Sequence, residues 1–406
     1  MFLNRNLLSH DPGEGPGVRV FAILSGIESI ARGILISVFP VATYRIFADA
    51  QVVSHVYFAI GLLSLLVTLV VPWASRRVPR RWLYSGAVGS YIAAAMVCAL
   101  SDSWLFAIGL AMFTFANVVV FVCLNAYIMD YVDRVRLGEC QALQLFYSGA
   151  AWTIGPFLGI SLMTWWKPAP FIVSAIASSL LLIVFWINRL GNGKAIQRGA
   201  SEQPNPFAYL FRFLHQPRLV AGWTFAVMKS CGWWVYILYL PIYAVESGYS
   251  EQLGGALLSL SNAFLFLTPL IIKSMRGRVR LAISIGFFGS GCLFFLAAAN
   301  PADAWFSIVL LVFASAFLIL LDVCAGLPFL MAVRPSQRTE MSAVYSTYRD
   351  VSSVLTPGTA SLVLVVAPLK AVFGVTAASL LACVLIAGKL HPRLGSQRLT
   401  ASKSAV

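Results

Sequence analysis

Twelve apolar runs follow one another along the chain, bounded by charged, proline-marked or glycine-marked stretches. They lie near residues 18–42, 51–73, 83–101, 104–129, 140–165, 169–189, 219–243, 253–272, 281–299, 304–331, 341–366 and 369–388. A bilayer core of roughly 30 Å asks for about 20 apolar residues per helix, and each run is close to that length or longer. Alternation of period two does not recur over segments of about ten residues, which argues against a closed barrel. In lipid that leaves helices to satisfy the backbone. The pattern predicts an all-α integral membrane protein with twelve transmembrane helices.

Composition sharpens this picture. Of 406 residues, 59% are hydrophobic and 11% charged, and the mean hydropathy is +0.83, too little charge for a soluble surface. The net charge of +14 sits in short loops rather than on one basic face, so no nucleic-acid partner is expected and the bilayer is the partner. With the N-terminus inside, 23 Lys and Arg fall in cytoplasmic loops and tails. The outer loops carry three: Arg45, Lys167 and Lys370. This bias predicts a multi-pass inner-membrane protein with both termini cytoplasmic. The N-terminal stretch is polar and lacks an apolar segment followed by a cleavage site, so the first run is expected to stay as a helix. The seven cysteines have no metal-ligand spacing and read as small buried hydrophobes.

The longest polar stretch divides the chain in the middle. We expect an N-terminal six-helix bundle over 1–189, a cytoplasmic linker over 190–218, a C-terminal six-helix bundle over 219–390 and a cytoplasmic tail over 391–406. Within the linker, FAYLFRFLHQPR has the makings of a short amphipathic helix at the headgroups. An internal repeat supports the division. At an offset of 201 residues, Glu139 meets Glu340, Ala142 meets Ala343, Tyr147 meets Tyr348 and Pro156 meets Pro357. The same offset sets Pro40 on Pro241 and Arg77 on Arg278.

Twelve spans, a 6+6 duplication, a central linker and basic loops after the second and eighth spans resemble the major facilitator superfamily. The loop between that family's second and third helices usually reads G-x-x-x-D-R-x-G-R-R. Here PWASRRVPRR (72–81) has Pro72 and Pro79 in place of glycines and Arg76 in place of the acid, while Arg77, Arg80 and Arg81 remain. The second copy is KSMRGRVR (273–280). The fifth span is similar to the family's antiporter motif, a glycine pattern ending G-P-x-x-G-G: Gly155, Pro156 and Gly159 match, and Ala142, Ala151 and Ile160 replace glycines. Small residues there would also serve plain helix packing. The fourth span lacks the arginine common in proton-coupled exporters of the family.

Charges at membrane depth are costly and become functional candidates by default. Glu28 and Arg32 stand mid-span at i and i+4 on the first helix, and Lys229 mid-span on the seventh. The offset sets Lys229 on Glu28, and the resemblance implies that these helices line a central cavity. Two readings stand: a structural lock of mutually neutralised charges, or a site where Arg32 or Lys229 receives an anionic group and Glu28 exchanges protons.

Asp322 in the tenth span reads as a second proton site, as a partner for Arg349, or as a gate residue. Asp130, Asp133 and Arg134, with Arg77, Arg81, Arg349 and Asp350, read as state-dependent contacts. Tyr236, seven residues after Lys229 and so on its face, reads with Trp152 either as a wall of the cavity or as ordinary helix packing. Asn117 joins them as an uncharged polar candidate, for which interhelical hydrogen bonding is the rival role.

No phosphate-binding loop, HExxH or nucleophile elbow is present in the sequence. We therefore expect no enzyme, no metal, no cofactor and no ATP-driven step. The function expected is secondary active transport of a small organic solute by alternating access. It should be proton-coupled and leaning to efflux by an antiporter, with the protein acting as a monomer. Uptake of a small organic anion is one alternative, and a non-transporting sensor, assembly factor or lipid-handling protein is the other. The topology has its own check. Cysteines substituted near Asp102, Ser247 or Asp303 should react with an impermeant thiol reagent outside intact cells, and a cysteine at Gly199 should not; periplasmic labelling at 199 would overturn the orientation.

Overall fold

A computed structural model of the chain describes residues 17–132, 137–188, 211–267, 278–301, 303–333, 341 and 344–390. Every helix or strand assigned among them is helical. Helix occupies all twelve apolar runs. Nine stretches among the described residues are long and apolar enough to cross a membrane. Helix at the other three runs is α6 (Leu137–Trp165), α9 (Glu251–Ala263) with its 3-10 extension Phe264–Leu267, and α13 (Tyr348–Val363).

The chain divides into two compact units, Met1–Ile46 with Leu62–Gly199, and Phe47–Gly61 with Ala200–Val406. The first unit centres on α1 (Val18–Gly33), which packs against α6 and α7 (Ala169–Ile187). Beside them, α4 (Arg80–Leu100) packs against α5 (Trp104–Tyr131) and α7. The expected linker region, the loop at 273–277 and the tail after residue 390 lie outside the described residues, apart from Phe211–Arg218.

The first apolar run is one span on sequence, but the structure breaks it. After α1 the chain turns at Ile34–Ser37 and resumes as α2 (Val38–Phe47). Non-helical backbone at this depth must find other partners. The Leu35 N–H donates to the Arg32 carbonyl at 3.0 Å, and the Ser174 hydroxyl donates to the Ala31 carbonyl at 2.8 Å. On the far side of the turn, Ser37 donates to the Pro156 carbonyl at 2.7 Å.

The break lies where α1 meets α6 at minimal distance. A Cβ on Gly155 would come within 2.6 Å of the Gly33 carbonyl carbon, and one on Gly33 within 2.8 Å of the Ala151 carbonyl oxygen. A Cβ on Gly159 would overlap the Ile34 carbonyl oxygen. Gly155 and Gly159 are one turn apart, so they open one continuous strip for α1. Pro156 lies inside α6 and supplies no N–H to the carbonyl one turn back. The helix-five pattern is therefore a packing device in this unit.

In the second unit α8 (Pro217–Glu246) is the hub. It touches α9, α11 (Ala304–Cys324), α12 (Leu327–Ala332), α13 and α14 (Lys370–Gly388), while α10 (Val279–Ala299) packs against α11 and α14. The start of α3 (Ala50–Arg77) belongs here too, although its run was expected whole in the first bundle. Small and hydroxylic residues explain the placement. A Cβ on Gly61 would meet the Ser353 carbonyl oxygen at 2.5 Å, and one on Gly358 would meet the Phe58 ring at 2.9 Å. The Ser54 hydroxyl bonds both the Ala50 carbonyl, at 2.7 Å, and Tyr239 Oη, at 2.8 Å. It has one proton, given to the carbonyl, so Tyr239 donates to it.

The close approach makes a sharp prediction. Gly159→Ala should destabilise by about 1–3 kcal/mol, the usual range for overpacking. Gly89→Ala on α4, with open space around it, should be neutral or stabilise by up to about 1 kcal/mol. Thermal unfolding in detergent is readable with a thiol-reactive dye, because Cys98, Cys123, Cys140, Cys324 and Cys383 are buried until the fold opens. Equal melting of the two variants would refute the packing role.

Candidate functional site

Each unit holds an ion pair at mid-span. In the first, Glu28 and Arg32 face the same side of α1, and Arg32 Nη1 donates to Glu28 Oε1 at 2.9 Å. Glu28 is 8% exposed. Two neighbouring helices complete its surroundings. Tyr91 of α4 directs its hydroxyl at Glu28 Oε1 (3.5 Å) and at Asn117 Oδ1 of α5 (3.3 Å). One phenol proton serves only one of these acceptors at a time. Across α6, the Arg32 guanidinium lies 5.2 Å from the centre of the Trp152 ring, a cation–π distance. One turn earlier on α1, Gln144 donates to Ser25 Oγ at 2.6 Å. Glu28, Arg32, Asn117 and Trp152 thus stand together, with Tyr91 as the member that sequence reasoning missed.

In the second unit the acid and base come from different helices. Lys229 of α8 meets Asp322 of α11 at 2.7 Å, and Trp233 Nε1, one turn after Lys229, donates to the other carboxylate oxygen at 2.8 Å. Two donors on one face of α8 therefore hold both Asp322 oxygens. Tyr348 closes the group, its ring centre 5.6 Å from the Lys229 ammonium. Asp322's partner is Lys229 rather than Arg349. Arg349 instead donates from Nε to the Tyr348 hydroxyl at 3.1 Å. Asp350 lies in the first turn of the same helix, α13.

Tyr236 departs from its expected place. It is fully buried, and its hydroxyl pairs with Ser261 at 2.5 Å, which Ser315 also reaches at 2.9 Å. Residues at i+4 and i+7 lie on opposite flanks of the same face. Here the i+4 residue, Trp233, joins Lys229, while the i+7 residue turns into the core beneath it.

Among the state-dependent candidates, Asp130 pairs with Arg80, which also lies over the Tyr127 ring at 5.4 Å. Arg81 stands 5.9 Å from the Trp82 ring centre, and Arg77 is exposed at the end of α3. Asp133 and Arg134 lie outside the described residues. Arg80, present in the basic loop but not singled out, is the residue that anchors this end.

The repeat offset finds a physical meaning here. Glu28 and Arg32 correspond to Lys229 and Trp233, and Tyr147 to Tyr348. The same two positions on α1 and α8 carry the polar contacts in both units. The position equivalent to Asp322 in the first unit is Phe121, so its acid has to come from α1 itself.

The Major Facilitator Superfamily model matches residues 21–357. The chain belongs to the major facilitator superfamily. Among curated protein sequences none matches it. Solved structures match in fold. A nucleoside transporter, NupG, has a TM-score of 0.69 at 13% identity, covering 92% of this chain and 99% of that one. A POT family transporter in complex with a thioalcohol-conjugated peptide gives 0.75 at 12% identity, with 91% and 95% covered. A POT family transporter with 5-aminolevulinic acid gives 0.73 at 13%, with 93% and 96% covered. This superfamily member is thus a multi-pass membrane transporter in class, not an enzyme.

The α8–α11 pair can be tested directly in this transporter. Lys229→Met alone leaves a carboxylate about a third exposed without its cation, and Asp322→Asn alone leaves the more buried ammonium unpaired, each an unfavourable state. Both single variants should melt below the wild type, and the double variant should recover much of the loss. Additive losses would show that the two side chains do not act as a pair.

Proposed function

We propose that this chain is a secondary active transporter that moves a small organic solute across the inner membrane by alternating access, with protons as the coupling ion. The observation that carries this reading is the Glu28 site: a buried carboxylate held by one guanidinium, which itself lies against an aromatic ring. At roughly 4 Å and an effective dielectric near 20, opposite charges attract by about 4 kcal/mol. A solute anion that takes Arg32 removes that support and favours the protonated acid. Binding and proton uptake are then linked. The Tyr91 hydroxyl can donate to the ionised acid or accept from the neutral one.

An outward direction rests only on the likeness of the Gly155–Pro156–Gly159 pattern to the family's antiporter motif, and the packing of α1 on α6 accounts for the same residues. Uptake of a small organic anion has its own observation: both mid-span cations, Arg32 and Lys229, lie against aromatic faces, Trp152 and Tyr348. That combination suits a solute with a carboxylate or phosphate beside an unsaturated or ring group. One structural neighbour binds 5-aminolevulinic acid, a carboxylic acid, and we extend that only as far as the chemical class. In the same reading each bundle carries a charged pair at mid-span, the bundles falling near 1–189 and 219–390, and both termini are cytoplasmic.

A thermal-stabilisation screen of metabolites against the purified protein identifies a solute, since a ligand stabilises the state it binds. For an anionic hit, wild-type affinity should rise as pH falls, and Glu28→Gln should flatten that dependence while binding persists. In proteoliposomes the same variant should lose proton-driven accumulation by tenfold or more yet retain exchange. A Glu28→Gln protein whose affinity varies with pH as the wild type does would rule out Glu28 as the coupling group.

A further inference from the structure

The first unit shields two phenol hydroxyls that find no protein partner among its described residues. Tyr84 is 0% exposed and Tyr127 3%, and neither Oη meets a donor or acceptor. They face each other from α4 and α5, ring centres 6.4 Å apart and edge to face. Phe185 of α7 fixes both, stacked on Tyr84 at 4.3 Å and edge-on to Tyr127 at 5.7 Å. A buried hydroxyl left unpaired bears its full desolvation cost, and buried polar groups of this kind are usually met by ordered water.

The pair lies in line with the rest of the polar groups of that seam. Tyr91 is seven residues further along α4 than Tyr84, two turns on the same face and roughly 10 Å deeper. Its hydroxyl reaches Glu28 and Asn117. At the other end, Arg80 stands over the Tyr127 ring and pairs with Asp130. Polar groups therefore mark the α4–α5 seam from its Arg80–Asp130 end to mid-span.

We infer that Tyr84 and Tyr127 hold bound water in this seam, and that the water joins the Arg80–Asp130 end to Glu28 through Tyr91 as a proton path inside the first unit. A proton added at that end attaches to the first water, and each water passes one of its own protons onward. The Tyr91 hydroxyl gives its proton to the Glu28 carboxylate and takes one from the water behind it. Glu28 ends as a neutral acid, one proton is consumed, and no other bond changes. The charged and titratable groups facing Glu28 are Arg32 on its own helix and Tyr91 and Tyr84 on α4. The use of the path in coupling rests on the proton-coupled reading above; the water site does not.

Radiolytic hydroxyl-radical footprinting of the detergent-purified full chain reads the water directly, because radicals formed from trapped water oxidise the side chains beside it. Tyr84 and Tyr127 should be oxidised at rates comparable to exposed Tyr147. Tyr236, equally buried but satisfied by Ser261, should stay protected. If Tyr84 and Tyr127 are as protected as Tyr236, the site is dry and the inference falls. The path has a second readout. Tyr84→Phe/Tyr127→Phe keeps both rings and removes both hydroxyls. After a pH jump, infrared spectroscopy should show the Glu28 acid band, identified by its loss in Glu28→Gln, rising at least tenfold more slowly to the same final amplitude. An unchanged rate overturns the path. Labelling as expected in a protein whose solute binding ignores pH would support the water site while refuting the coupling reading.

Discussion

Everything distinctive in this transporter follows from one constraint: a charge at mid-span persists only with its counter-charge in reach. Born-type costs for lone ions in a low-dielectric interior are several kcal/mol even after relaxation, so pairing decides which helices must touch. Glu28 and Arg32 meet that demand along a single helix turn. Lys229 and Asp322 meet it between α8 and α11. Around each pair the fold adds a neutral donor, Tyr91 or Trp233, and an aromatic face, Trp152 or Tyr348. These additions matter because a carboxylate has more acceptor capacity than one cation fills.

The backbone obeys a parallel rule. Without water in the bilayer core, the turn at Ile34–Ser37 exists only because Ser174 and Pro156 supply a donor and an acceptor to the groups beside it. Gly33, Gly155 and Gly159 bring α6 close enough for those bonds to form. A pattern that resembles a family motif thus has a local explanation in steric terms. Packing around a broken helix needs glycine at these positions whatever the direction of transport.

How much of this was legible in the chain follows from the range of each interaction. Hydrophobic runs are local, so the spans and their ends were readable to a few residues, as at Trp104–Tyr131 and Ala169–Ile187. The Glu28–Arg32 pair was readable for the same reason, since i, i+4 spacing is a property of one helix. The Lys229–Asp322 pair was not. It depends on how α8 and α11 are rotated about their axes, which hydrophobicity alone leaves open. Tyr91 escaped notice because a lone tyrosine among Gly, Ala and Ser residues carries no periodic signal. The break after Gly33 was hidden because Ile34, Leu35 and Ile36 are as apolar as the helix on either side.

The repeat shows most clearly why the two pairs need not do the same work. Duplication put Glu28 and Lys229 at equivalent places, yet the partners diverged: Arg32 on the same helix in one unit, Asp322 on a neighbouring helix in the other. A pair within one helix turn is carried along whenever that helix moves, so motion of α1 cannot separate it. It opens only to a competitor for the guanidinium or to a proton on the acid. A pair between two helices responds to their relative rotation and shift, and small displacements change a contact of 2.7 Å steeply. Chemical events are therefore the natural trigger at Glu28, and mechanical ones at Lys229–Asp322. In the proton-coupled reading proposed above, the first pair would sense the proton and the second the change of shape.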